Sequence, residues 1–232
     1  MPSATLELEM WNSPDAPTGA VLEAMLMAQT PDYEARARGV ARLLKGRNIL
    51  NVCGELNTIS HHENYYALGL NQNIFGATYY ASALVNLLRG GADLEMRWTA
   101  TSHDDSQDAY GLMTMTGEPT PAGLAKQLFA QHVRYGDWIH LPYHRHEVSE
   151  VDAVVAWDEG GRRSGVFVNT TAETRTLSIA EWDGELLSCR SVMRLDASTN
   201  GQVLQETHDG RLRLNGYGIA VVTNQPVFAG AQ

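Results

Sequence analysis

The chain has 232 residues, with 17 Lys and Arg against 27 Asp and Glu, so its formal net charge is −10. Apolar residues make up 44% and charged residues 19%, enough to form a sizeable core and to exclude disorder as the main state. The acidic balance argues against nucleic acid and anionic membrane as partners. No run is long and apolar enough to span a bilayer, and no basic residue precedes an apolar run at the N-terminus, so no signal peptide is expected. The two cysteines, Cys53 and Cys189, make neither a disulfide framework nor a zinc site.

Residues 6–11, Leu-Glu-Leu-Glu-Met-Trp, alternate and predict a strand ending at Asn12-Ser-Pro-Asp. Thr30-Pro31 then opens a helix, with Thr30 as N-cap and Pro31 at the first helical position, where a missing N–H costs nothing. Tyr33, Ala37, Val40, Ala41 and Leu44 fall on one face, and Gly46 ends the helix. Residues 48–53 read as a short apolar strand, followed by a polar loop over 56–72. A second helix is predicted over about 73–89, with Ile74, Ala77, Ala81, Leu84, Val85 and Leu88 buried and Gly90-Gly91 as its stop. A strand at 93–98, a polar loop at 99–110 and a third helix opened by Thr120-Pro121 follow, with Leu124, Leu128, Phe129 and Val133 on its apolar face.

Strand, helix, strand, helix, strand, helix is the order of parallel strands joined by crossover helices. Function in such folds gathers at the C-terminal ends of the strands. From about residue 147 the texture changes to seven short strands, at 151–157, 165–169, 175–182, 186–195, 202–206, 211–214 and 218–223, separated by turns such as Asp158-Glu-Gly-Gly and Asp209-Gly210. That spacing predicts an antiparallel β-sandwich. The expected division is 1–140 and 147–232, joined by the polar His140–His146 stretch.

Glu55 is the most informative residue. It follows an apolar strand and Gly54, and faces a loop carrying Asn57, Ser60, His61, His62 and Glu63. A carboxylate so placed can be a nucleophile or general base, or equally a capping or ion-pairing group at a strand end. The segment Cys53-Gly-Glu-Leu-Asn-Thr-Ile-Ser60 resembles the seventh-strand motif of clan A glycoside hydrolases, nearest to family 39, the β-xylosidases and α-L-iduronidases. Family 51, the arabinofuranosidases, is the second resemblance. The helix ending Asn86-Leu-Leu-Arg-Gly-Gly-Ala-Asp93, the strand ending in Trp98, and Tyr110-Gly-Leu-Met-Thr-Met-Thr-Gly-Glu-Pro-Thr-Pro121 resemble the same family in order and spacing. Gly54 departs from the family's usual Thr.

The resemblance implies the C-terminal part of a (β/α)8 barrel, about strands six to eight, followed by an accessory β-sandwich. It implies a retaining glycosidase with Glu55 as nucleophile, Trp98 as the platform beneath a sugar ring, and Asn57, His62 and His103 as substrate contacts. No cofactor or metal is called for. A retaining enzyme needs a second carboxyl group about 5–5.5 Å from the first. The family's acid/base Glu lies in an Asn-Glu-Pro-like element, which does not occur here. A whole barrel takes about 250 residues, so the chain is expected to be the last part of a longer enzyme. The alternative is a non-catalytic carbohydrate-binding or split-barrel fragment. Either a second copy or a complementing chain is expected to cover its open strand edge.

Other residues carry less. Adjacent His61 and His62 are poor metal ligands and read better as sugar contacts or as solvated loop residues. His103-Asp104-Asp105 either rims the cleft or is a solvated acidic loop. His140, His144 and His146 read as interdomain contacts, Trp11 and the pair Tyr79-Tyr80 as packing residues, and Ser60 lacks His and Asp partners for nucleophilic work. Cys53 reads as an inert residue of a buried strand.

Overall fold

A computed structural model gives the architecture and describes residues 19–54, 56, 70, 72–97, 100–101, 111–142, 150–189, 191–199 and 202–225. The first part holds helices α1 (Gly19–Met27), α2 (Thr30–Leu44), α3 (Ile74–Gly90) and α4 (Pro121–His132), with strands β1 (Val52–Cys53) and β2 (Leu94–Glu95). β1 and β2 pair in parallel, Val52 beside Leu94 and Cys53 beside Glu95. The crossover through α3 is therefore of the kind the sequence order predicts. The predicted strand at 6–11 lies outside the described residues.

Local chemistry explains most of the boundaries. Asn73 caps α3 by accepting the Gly76 N–H at 3.0 Å, and Gly91, at φ 79°, ends it. Thr120 caps α4 by accepting the Gly123 N–H at 3.2 Å. Gly123 is required there, because a Cβ would lie 1.9 Å from the Leu112 carbonyl oxygen. Thr30 does not cap α2. Its hydroxyl donates back to the Met27 carbonyl at 2.9 Å and accepts from Ser82 at 2.8 Å. Helix α1 has no counterpart in the sequence reading; its short apolar run has no acidic residue in the first turn to announce it.

α3 is buried on all sides from Phe75 to Leu87, rather than along the single stripe its sequence suggests. It is enclosed by α2, by α4 and by a sheet, so each face has a neighbour. Val40 of α2 is the reverse case, 42% exposed although the helical period sets it on the buried face.

The second part is antiparallel throughout. β3 (Trp138–His140), β4 (Val151–Trp157), β5 (Arg163–Asn169), β7 (Ser191–Leu195), β8 (Leu204–Thr207) and β10 (Ile219–Thr223) form a six-stranded sheet in the order β3-β4-β5-β10-β7-β8. β6 (Arg175–Ser178) and β9 (Arg211–Leu214) form a separate pair. The predicted strands at 175–182 and 186–195 are each partly helical: Ile179–Trp182 is a helical turn and Gly184–Ser188 a 3₁₀ turn.

The large sheet is packed on both faces. Ala153, Val155, Phe167, Val192, Ala220 and Val222 meet Leu177, Leu212 and Leu214 of the small sheet. On the other face Val154, Val166, Val168, Met193, Ile219 and Val221 join one core with α3 and α4. Two buried polar ties cross this joint. Asp152 of β4 accepts from Ser82 at 2.5 Å, Asn86 at 3.1 Å and Arg89 at 2.5 Å, all on α3. Arg162 donates to the His132 carbonyl at 3.0 Å and to Asp158 at 3.0 Å, and pairs with Asp137. His132 itself contacts Ser164 at 3.1 Å, and Ser164 contacts Thr223 at 2.9 Å. Burial first, then the nearby Arg134 and Arg162, lowers the His132 pKa to about 4.

Candidate functional site

The C-terminal edge of β1 and β2 is held from below by Asn51. Its side chain donates to the Ala37 and Gly91 carbonyls at 3.0 Å each, and its N–H donates to Asp93 at 2.7 Å. One residue thereby fixes β1 to α2, to the end of α3 and to the start of β2. Past the paired residues, the Met96 N–H donates to the Cys53 carbonyl at 2.9 Å, so the two strands run side by side to their ends. Leu56, one residue beyond Glu55, is 1% exposed and belongs to the core shared with α3. The Met113 N–H donates to the Ala100 carbonyl at 3.0 Å, which ties the segment before α4 back to the exit of β2.

Charged residues alternate along 93–97, and Glu95 and Arg97 turn toward the helices. Glu95 accepts the buried Tyr80 hydroxyl at 2.9 Å on both oxygens and pairs with Lys126 of α4. Arg97 lies 4.7 Å from the centre of the Tyr80 ring. Burial and the Glu95 charge raise the Tyr80 pKa, so the phenol stays protonated at neutral pH. Burial lowers that of Arg97. The cluster holds charge and shape at the strand exit but contains no nucleophile poised for attack. Leu94 and Met96, on the alternate side, are 48% and 50% exposed.

Between α3, α4 and β2 lies an apolar groove of about 260 Å³, lined by Leu84, Leu87, Leu88, Phe129, Ala130 and Val133, with Lys126 and Glu95 among its polar groups. No group of three His, Cys, Asp or Glu residues able to hold a metal ion occurs among the described residues.

Glu55, Asn57, His62, Trp98 and His103, the predicted site residues, all lie outside the described residues, as do Trp11, His61, His144 and His146. Their flanking residues Gly54, Leu56 and Arg97 belong to the strand ends just described. His140 is exposed on β3, and Tyr79 and Tyr80 are buried packing residues. Cys53 is half-buried. The Tyr80–Glu95–Lys126–Arg97 cluster is the feature that sequence reasoning misses. Its signal is present in Asp93-Leu-Glu-Met-Arg97, where the charged positions alternate as strictly as the apolar ones.

Residues 149–222 match the family described as "D-apionate lactonase, C-terminal immunoglobulin-like domain". No curated protein matches the chain. Among solved structures, the chain is similar to CelM2, a bifunctional glucanase-xylanase from a metagenome library, at 14% identity and TM-score 0.58, over 89% of this chain and 40% of that one. It is similar to the catalytic domain of GH30 xylanase C from Talaromyces cellulolyticus, at 14% identity and TM-score 0.57, over 78% and 42%. A monomeric β-xylosidase from Caulobacter crescentus CB15 matches at 12% identity and TM-score 0.53, over 85% and 50%. At these identities the likeness is one of fold. The chain spans half or less of the length of each of these structures.

Proposed function

We propose that this chain is the C-terminal part of a carbohydrate-acting hydrolase, a segment of (β/α)8 barrel followed by a β-sandwich, with its site at the ends of β1 and β2. The sequence motifs resemble family 39, and the reaction we propose is retaining glycoside hydrolysis. Glu55 attacks the anomeric carbon, Trp98 receives the apolar face of the sugar, and Asn57, His62 and His103 bond its hydroxyls. The acid/base carboxyl comes from polypeptide outside this sequence. The observation that carries this reading is the parallel β1–β2 pair, which brings the backbones leading into Glu55 and Trp98 side by side. The outward direction of Leu94 and Met96 supports it. Barrel strands bury one side against helices and the other against opposing strands, and among the described residues the helix side alone is covered.

The test uses an activated 2-fluoro glycoside with a dinitrophenyl leaving group. Such a group departs without protonation, so a nucleophile suffices for the first step even where the general acid is missing. Mass spectrometry is expected to find a glycosyl adduct on Glu55. A label elsewhere, or full labelling of Glu55→Gln, would sink the assignment.

The lactonase family match over 149–222 favours a second reading, hydrolysis of a sugar-derived lactone at the same strand ends. There Glu55 would activate water against an ester carbonyl, and no glycosyl adduct would form. Base uptake in a pH-stat with aldonolactones, without fluoro-sugar labelling, would select this reading. Sugar binding without either reaction would select the non-catalytic fragment.

A further inference from the structure

Residues 35–54 include Arg36, Arg38, Arg42, Lys45 and Arg47 and no Asp or Glu, in a chain whose net charge is −10. All of these basic residues are exposed, and Arg38 pairs with Glu34 one turn earlier. α2 turns Thr30 and Ala37 toward the core. On its other side Arg36, Gly39, Val40 and Leu43 fall at i, i+3, i+4 and i+7, which makes one continuous stripe. Val40 is 42% exposed and Leu43 76%. A Cβ at Gly39 would meet nothing within 4 Å, so another backbone can approach closely there. Ile49 and Leu50, next along the chain, are 56% and 66% exposed.

A lone exposed aliphatic residue is ordinary on a surface, but a face that only meets water has no need of several in a row. This one sets aliphatic side chains and a glycine inside a cationic frame. A mid-helix glycine destabilises a helix relative to alanine, and close helix packing is a setting that offsets the loss. We propose that this stripe docks an acidic amphipathic helix of a partner polypeptide. The partner's aliphatic side chains lie on Val40 and Leu43, its backbone passes near Gly39, and its carboxylates meet Arg36 and Arg42. Charge selects this occupant. A symmetric second copy on the same face would set arginine against arginine. A membrane helix needs a wider apolar face than this single stripe. The inference does not depend on whether Glu55 is a nucleophile, and it rests on this face of α2 staying uncovered in the longer protein that the hydrolase reading proposes.

The test is fluorescence anisotropy of the full chain with two labelled helical peptides of about five turns. They share one leucine stripe and differ in whether glutamate or lysine flanks it. The acidic peptide is expected to bind saturably and more weakly as salt rises, and the lysine peptide not to bind. Arg36→Glu and Leu43→Ser, both exposed positions, are each expected to weaken binding about tenfold, with circular dichroism confirming an unchanged fold. Equal binding of both peptides, or no saturable binding, overturns the proposal. A loss on Arg36→Glu with none on Leu43→Ser also overturns it, because a bare polyanion surface would behave that way. Tighter binding to phosphatidylglycerol vesicles than to the acidic peptide would overturn it in favour of a membrane.

Discussion

In the six-stranded sheet, β10 buries every residue and β5 all but its first. In the parallel pair, β1 leaves Val52 41% exposed and β2 leaves Leu94 48% exposed. Composition does not explain the contrast, since both regions are rich in aliphatic residues. Coverage does. The large sheet has helices on one face and the β6–β9 pair on the other, so its central strands read as nearly continuous apolar runs, while the edge strands β3 and β8 stay exposed. Among the described residues, the parallel pair has α3 on one side and no second layer on the other. Aliphatic side chains thus mark a core in one region and an unfinished surface in the other.

The contrast predicts unequal responses to substitution. Phe167, fully buried between the large and small sheets, is expected to cost about 3–5 kcal/mol on change to alanine, through lost burial and the cavity left behind. Urea denaturation measures this. A cost under about 1 kcal/mol would mean that the second face is not a packed core.

Asp152→Ala comes next. It strips α3 of an acceptor for Ser82, Asn86 and Arg89 and leaves a mostly buried guanidinium without that partner. Breaking such a pair costs about 3 kcal/mol. Because Asp152 links the two parts of the chain, the variant is expected to split one unfolding transition into two in calorimetry. A single transition at unchanged temperature would show that the shared apolar core alone couples them.

His132 gives an effect confined to a defined pH window. Its folded pKa is about 4, below the value of about 6.5 expected unfolded. The unfolded chain therefore binds the extra proton first as pH falls. The stability held by neutral His132 is complete above about pH 6.5 and declines toward pH 4, by at most about 1.4 kcal/mol per pH unit. His132→Gln keeps a side-chain group for Ser164 and is expected to flatten the stability–pH curve in this window. An identical curve in both proteins would place the acid sensitivity elsewhere.

What is legible in the sequence follows the same division. Residues 151–157 and 211–214 are readable to the residue, because an apolar run in the first, alternation in the second and the flanking turns of both are local signals. β1 and β2 are shorter than the predicted 48–53 and 93–98, because a strand extends only where another pairs with it. The full burial of α3 depends on neighbours distant in sequence, which no helical period encodes. Glu55 and Trp98 are legible as motif residues, while the Tyr80–Glu95–Lys126 support beneath the strand exit requires knowing which way β2 faces.

That direction yields the smallest predicted effect. In this chain Leu94 and Met96 lie half in water, so Leu94→Ser and Met96→Ser should each change stability by under about 0.5 kcal/mol. A core strand position would lose several times that. If the same substitutions in a longer protein containing this sequence cost about 2–4 kcal/mol, the uncovered face is a core face awaiting its opposing strands. If they stay neutral there, the β1–β2 pair is a finished surface, and the barrel reading of the strand ends loses its structural support.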